Sequence, residues 1–438
     1  MIYRKTIGIL LCLLMLAMAT GAKAQSADMR VGELLNGGNW FALEAEYPAL
    51  RDSVQTSLLR LMSEALLGHY FNRPDDTVAC TDSLLRNHQA ELGLGNITSM
   101  LFVKAAAEAK RGNHGAAADM LSDFAAQLRA QGVEMDYTTI EQVAQHYGKF
   151  RTCPPMSAVR PADDAVIAMT NDSIVLKIKN DTVQRGTMMR VPVTVGGNEY
   201  RAIFDTGAGS TFMSAAFAKK AGVRVIADSL RIQGSGMVYG QVGVADSMRI
   251  GGITVRNIPV TINPDTTLNR VEDIDFLIGA DIMALLGEVQ IFPHGGRIVV
   301  PAQPTPKPAS GSNMYIDNMA LIVKGGSNGK TYGFFLDTGN GTAALSHSFY
   351  EMNKTEIDMK ARRMKRLTGG IGAVEERDVL VIPIWNLSFN GKEVKLRDVV
   401  VSLEDSRSVP YAGNIGMAVI NQFDKGIVNF KDCFVVFE

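Results

Sequence analysis

One short run of residues occurs twice in this chain and limits its folding more than any other feature. The first copy is Ala202-Ile203-Phe204-Asp205-Thr206-Gly207-Ala208-Gly209-Ser210, and the second is Phe334-Phe335-Leu336-Asp337-Thr338-Gly339-Asn340-Gly341-Thr342. Apolar residues ahead of the Asp read as a short buried strand, and the Gly after it as a turn that lets the backbone approach a neighbour closely. A carboxylate at the end of a buried strand is costly unless it is partnered or used. A single copy would read as a strand ending in a turn. Two copies in matching contexts point instead to a site built from both.

The matching extends well beyond the runs themselves. Gly279 of Phe276-Leu277-Ile278-Gly279 follows Asp205 by 74 positions, and Gly416 of Gly413-Asn414-Ile415-Gly416 follows Asp337 by 79. Between the landmarks lie a glycine-rich hairpin (Gly234-Ser235-Gly236; Gly369-Gly370-Ile371-Gly372) and a second hairpin (Ile250-Gly251-Gly252-Ile253; Phe389-Asn390-Gly391-Lys392). Each unit closes on a strand-like segment, Val289 to Phe292 and Ile427 to Phe430. Four landmarks repeated in one order indicate two homologous lobes.

On these residues the chain resembles the bilobal pepsin-like and retropepsin-like aspartic proteases, in particular bacterial exported forms with both lobes on one polypeptide. The resemblance spans residues 170 to 438. It implies a mainly β fold of two homologous closed β-barrel-like lobes, with Asp205 and Asp337 as a catalytic dyad at their interface. It also implies support from Thr206, Gly207, Thr338 and Gly339, the threonines bonding across the interface, while the apolar-apolar-Gly segments brace the Asp loops from behind. Flap and substrate contacts fall on Gly234, Gly236 and Tyr239 in one lobe, and on Gly369, Gly370 and Gly372 in the other. Two features depart from the pattern. The pepsin Ser or Thr three residues after each Asp is here Ala208 and Asn340, and the retroviral substrate-binding Asp is here Gly209 and Gly341.

Two carboxyls about 3 Å apart cannot both ionise cheaply and so share a proton, one serving as base and the other as acid. This chemistry activates water without a covalent intermediate, and it needs no metal or cofactor. The six histidines do not cluster, and Cys80, Cys153 and Cys433 are scattered without metal-ligand spacing. With 44 basic and 45 acidic residues and no basic block read in the sequence, nucleic acid is not an expected partner. A peptide or protein substrate is expected.

From its beginning, the chain reads as a signal peptide over 1–24: Arg4-Lys5, an apolar run from Ile7 to Ala19, and Ala22-Lys23-Ala24 as a small-x-small cleavage site. Cys12 follows Leu10-Leu11 and so lacks a lipid-attachment boundary. The apolar run falls short of the roughly 20 residues a membrane span needs, and no later stretch supplies one. Export to the periplasm or beyond, without a stable span in the mature chain, is the expectation. Residues 25–150 read as an all-α, tetratricopeptide-like domain with helices over Pro48–Phe71, Pro74–Leu92, Ile97–Arg111 and Gly115–Ala130, and Ala105 to Ala107 packing on Ala116 to Ala118. A linker is expected over 151–170, lobe 1 over 171–300, a Pro-rich linker over 301–312 and lobe 2 over 313–438.

The functional expectation is an exported aspartic endopeptidase. A peptide-binding pseudoprotease that grips extended chain by strand addition, and a scaffold whose helical domain binds a protein partner, are the alternatives.

Overall fold

The computed structural model describes residues 22–178, 181–233, 237–264, 274–370, 373–404 and 411–438. Most of the signal-peptide segment, together with Gly234, Gly236 and Gly372, lies outside them. Two compact units are present. One runs to Pro155 and includes Ala309–Tyr315; the other comprises Met156–Pro308 and Ile316–Glu438.

The first unit is helical, with α-helices Ala22–Asn36, Trp40–Leu50, Ser57–Tyr70, Pro74–Asn87, Gln89–Lys110, His114–Ala130 and Thr138–Gly148. The expected single helix Pro48–Phe71 is in fact two. Pro48 sits inside Trp40–Leu50, and Val54 is extended before the chain restarts at Ser57. The new start is capped from a distance: the Asp28 carboxylate accepts from the backbone N–H of Gln55 (2.9 Å) and Thr56 (3.2 Å) and from Thr56 Oγ1 (2.6 Å). No local signal could announce a cap contributed from a helix so far upstream. Pro74–Leu92 also breaks early, at His88. The alanine pairing holds: Ala105, Ala117 and Ala118 are buried in one cluster with Phe102, Leu121 and Ile140. Small side chains at these positions let the two helices approach closely. Tyr315, on the segment that joins this unit late, packs against Phe41, Tyr70 and Phe71.

The second unit holds two β-sheet lobes with one topology. In lobe 1 the strands lie side by side as Asp181–Val195, Asn198–Phe204, Phe276–Ile278, Phe212–Ser214, Ile253–Asn263, Met237–Ile250 and Arg224–Gln233. In lobe 2 the order is Ala320–Ser327, Lys330–Leu336, Gly413–Ile415, Ala343–Leu345, Lys392–Ser402, Ala373–Phe389 and Arg362–Gly370. The Asp-bearing strand runs parallel to the landmark strand in both, with Ile203 opposite Leu277 and Phe335 opposite Asn414. In lobe 1, burial on both faces explains the unbroken apolar character of Ala202–Phe204 and Phe276–Ile278. The second hairpins turn on Gly251-Gly252 and Asn390-Gly391, all four at positive φ, the mirror-image turn that matches strand twist.

Three expectations need correction here. The stretch 151–170 is not merely a linker: Ser157–Val159 pairs with Ile253–Asn263, and Ala165–Ala168 pairs with Arg297–Val300. The strand Arg362–Gly370 was not anticipated, because its charges give no apolar alternation. It also holds a basic run, Arg362-Arg363-Met364-Lys365-Arg366, that the reading of the sequence passed over. It is the edge strand of its sheet among the described residues, and cations there discourage strand addition by other chains.

The two closing strands do not stay in their own lobes. Glu288–Phe292 and Gly426–Asn429 pair antiparallel, Val289 opposite Val428, at the centre of a five-stranded sheet shared by both lobes. Buried at one end of this pairing, the Glu288 carboxylate accepts from Thr305 N (2.9 Å), Thr305 Oγ1 (2.8 Å), Gln290 Nε2 (2.8 Å) and Asn429 Nδ2 (2.7 Å). Four donors offset the cost of burying the charge and pin the Pro-rich segment to the shared sheet.

Candidate active site

Both Asp-Thr-Gly runs sit where their strands end, and each is held from behind by its landmark strand. Asp205 N–H donates to Ile278 O (3.0 Å) and Asp337 N–H to Ile415 O (2.8 Å). One step further on, Ala280 N–H donates to Ala208 O (2.7 Å) and Met417 N–H to Asn340 O (2.9 Å). These contacts require glycine before the short helix. A Cβ on Gly279 would lie 2.7 Å from Ser210 O, and one on Gly416 would lie 2.0 Å from Asn340 O.

The threonines join the two runs reciprocally. Thr206 N–H donates to Thr338 Oγ1 (2.9 Å) and Thr338 N–H to Thr206 Oγ1 (3.0 Å), while Thr206 Oγ1 donates to Leu336 O (2.8 Å) and Thr338 Oγ1 to Phe204 O (2.7 Å). Both threonines are fully buried. This arrangement brings Asp205 and Asp337 into mutual hydrogen bonding. Gly207 and Gly339 leave the space the carboxyls occupy: a Cβ on Gly207 would lie 2.2 Å from Asp337 Oδ1, and one on Gly339 2.5 Å from Asp205 Oδ2.

The two carboxyls have different surroundings. Asp205 Oδ1 accepts from Gly207 N–H (2.7 Å) and Gly339 N–H (2.9 Å), and its side chain is buried. Asp337 Oδ2 accepts from Asn414 Nδ2 (2.7 Å). Burial raises Asp205 well above the usual carboxylate range, and the neighbouring Asp337 charge raises it further. Burial raises Asp337 as well, but Asn414, Asp205 and the Gly339 and Asn340 backbone N–H groups oppose the rise. Both carboxyls are thus raised, as for a buried pair that cannot ionise twice, and the proton belongs to the pair.

The departures from the family pattern have local causes. The apolar Ala208 packs against the cluster of Ile174, Met188, Ile203, Phe212, Ile274 and Leu277, where a hydroxyl would be out of place. Asn340 does not bond Asp337 through its side chain. Its Oδ1 accepts from Thr342 N–H (2.9 Å) and Thr342 Oγ1 (3.0 Å) and so ties its own loop. In lobe 1 the corresponding tie comes from Asp281, which accepts from Thr211 N–H (2.9 Å) and Thr211 Oγ1 (3.0 Å). Burial pushes the Asp281 carboxyl up to about 6 against those donors. Gly209 is crowded by the opposite lobe, since a Cβ there would lie 3.2 Å from Met319 Cβ, and the Gly341 backbone is approached so closely that a Cβ on Gly186 would lie 2.1 Å from Gly341 O.

The remaining expected residues lie on the long hairpins. Tyr239 is opposite Arg231 and is 67% exposed, and Gly369 and Gly370 are opposite Val374 and Ala373. Sequence reasoning missed Asn414 and Asp281 as parts of the site. A signal for Asn414 was present, since the landmark strand has a polar residue where the other copy has Leu277.

Comparison with known proteins follows the same line. A family model described as aspartyl protease matches residues 191–282, which takes in Asp205, Gly279 and Asp281. The chain resembles the aspartic proteases. The second lobe lies outside that match and repeats the strand order and the bonds described above. A retropepsin-like aspartic protease from Rickettsia conorii is similar over 30% of this chain and 92% of its own, at 16% identity and a TM-score of 0.20. The structure named edgp is similar over 63% and 94%, at 9% identity and TM-score 0.37. Conglutin gamma, a basic 7S globulin from lupine seeds, is similar over 62% and 94%, at 7% and 0.33. No curated protein matches the chain.

Proposed function

We propose that this protein is an exported aspartic endopeptidase that hydrolyses peptide bonds by dyad activation of water. The observation that carries the reading is the reciprocal threonine bonding, which holds two buried carboxyls against each other, where sharing one proton is the low-cost state. The ionised carboxylate takes a proton from water as the water oxygen attacks the peptide carbonyl carbon. The protonated carboxyl donates to the carbonyl oxygen, giving a neutral gem-diol intermediate. Collapse of that intermediate breaks the C–N bond, and the proton taken from water passes to the leaving nitrogen.

The test is incubation of the chain beginning at Gln25 with a diverse peptide mixture, with and without pepstatin. Cleavage on the acidic side of neutral is expected in the wild type. Asp205→Asn and Asp337→Asn should each abolish it, and the double variant should cost little more, because the residues act as a unit. Wild-type protein that binds peptides and cuts none would overturn the reading in favour of a peptide-binding module. Export rests on the Arg4-Lys5, apolar-run and Ala22-Lys23-Ala24 pattern. Mass spectrometry of the secreted or periplasmic chain should find Gln25 as the first residue, and an intact Met1 would refute it.

A further inference from the structure

The lobes match in backbone at the dyad but not in side chain. Leu277 and Asn414 each stand two residues ahead of a close-contact glycine, on the strand beside the catalytic loop. Leu277 is buried and packs in the apolar cluster of Ile203 and Phe212. Asn414 donates Nδ2 to Asp337 Oδ2 at 2.7 Å, while its Oδ1 is buried without a hydrogen-bond partner among the described residues. An amide that satisfies only one of its ends burdens a fold that accepts a leucine at the equivalent place in lobe 1. The end that is used faces a carboxylate oxygen. An amide NH2 can only donate, so the contact favours the ionised form of Asp337.

We propose that Asn414 is a positioning residue that makes the two aspartates inequivalent, keeping Asp337 ionised and leaving the shared proton on Asp205. Under the endopeptidase reading, on which this consequence rests, Asp337 is then the base that takes the proton from water and Asp205 is the acid. Asp205, Asn414 and the N–H groups of Gly339 and Asn340 bear on Asp337, and there is no cation in that set. Asn414 therefore supplies a polarity that in many sites comes from a charge. The first lobe has no counterpart, because Leu277 offers no donor to Asp205.

The experiment replaces the amide by its lobe-1 equivalent, Asn414→Leu, with Asn414→Ala in parallel as a smaller side chain that cannot clash. Carboxyl 13C NMR titration of Asp-labelled chain reads the dyad directly, and thermal denaturation reads the fold. In both variants the Asp337 titration should move up by about one pH unit, as for loss of a hydrogen bond to the charged form. The acidic limb of kcat/KM should move with it, and the melting temperature of Asn414→Leu should be unchanged or higher. Variants that melt earlier or fail to fold, or fold with both dyad titrations unmoved, would make Asn414 structural and overturn the proposal. A wild type that cleaves nothing, but whose Asp337 titration responds to Asn414→Leu, would sink the protease reading and leave this assignment standing.

Discussion

Thr206→Val removes one hydroxyl from the centre of the reciprocal bonding while keeping shape and volume. Two partners lose their bonds: Leu336 O, which accepts from Thr206 Oγ1, and Thr338 N–H, which donates to it. Both residues are fully buried, so water does not replace the lost contacts. Each buried group left unpaired costs about 1–3 kcal/mol, giving about 2–6 kcal/mol for the single substitution. That is a large share of the ~5–15 kcal/mol that holds a typical domain together. Urea denaturation followed by Trp385 fluorescence measures it, because Trp385 is buried in lobe 2, its Nε1 donating to Ser327 Oγ. Thr206→Ser retains the hydroxyl and should recover most of the loss. The double variant Thr206→Val/Thr338→Val should cost less than the two singles combined, since the first opening lets water reach the second set. A loss below about 1 kcal/mol for Thr206→Val, less than one unpaired buried group should cost, would refute the reasoning.

The two units should respond to acid in opposite directions. Burial in the helical unit holds His69 down at about 3, from an ordinary value of 6.5. Between pH 6.5 and 4 the unfolded chain binds more protons there, so acidification destabilises that unit. Asp281 has the reverse sign: its folded-state value near 6, against 3.8 ordinarily, makes the lobes gain stability as pH falls from 6 towards 4. Trp40, stacked on Tyr70, and Trp385 are the two tryptophans, one in each unit, so single-tryptophan variants can follow the transitions separately. Denaturation midpoints that shift together between pH 7 and pH 5 would contradict this. Gly416→Ala should displace the loop bearing Asp337, its Cβ meeting Asn340 O at 2.0 Å, whereas Gly32→Ala, in the middle of the helix Ala22–Asn36 with nothing near its Cβ, should stabilise by roughly 0.5–1 kcal/mol. Equal effects of the two on thermal stability would show that the close approach at Gly416 is not limiting.

By itself the sequence determined the features that are local or repeated. An apolar strand, Asp-Thr-Gly and a later short strand ending in glycine, met twice, singled out Asp205, Asp337, the threonines and the glycines, because a close approach of backbones excludes any larger residue at those glycines. The hairpins at Gly251-Gly252 and Asn390-Gly391 were legible for the same reason: their positive φ angles suit glycine and asparagine. Interactions between residues distant in the chain became visible only in the tertiary structure. Asp28 caps a helix well downstream of it, Glu288 gathers donors from Thr305 and Asn429, and the last strands of the two lobes share one sheet. The arginine-rich strand Arg362–Gly370 carries no apolar period and is defined by its pairing with Ala373–Phe389. Asn414 was in plain view as the one polar residue of its landmark strand. What it does depends on a 2.7 Å contact with a carboxyl 77 residues earlier in the chain, and no local pattern encodes such a contact.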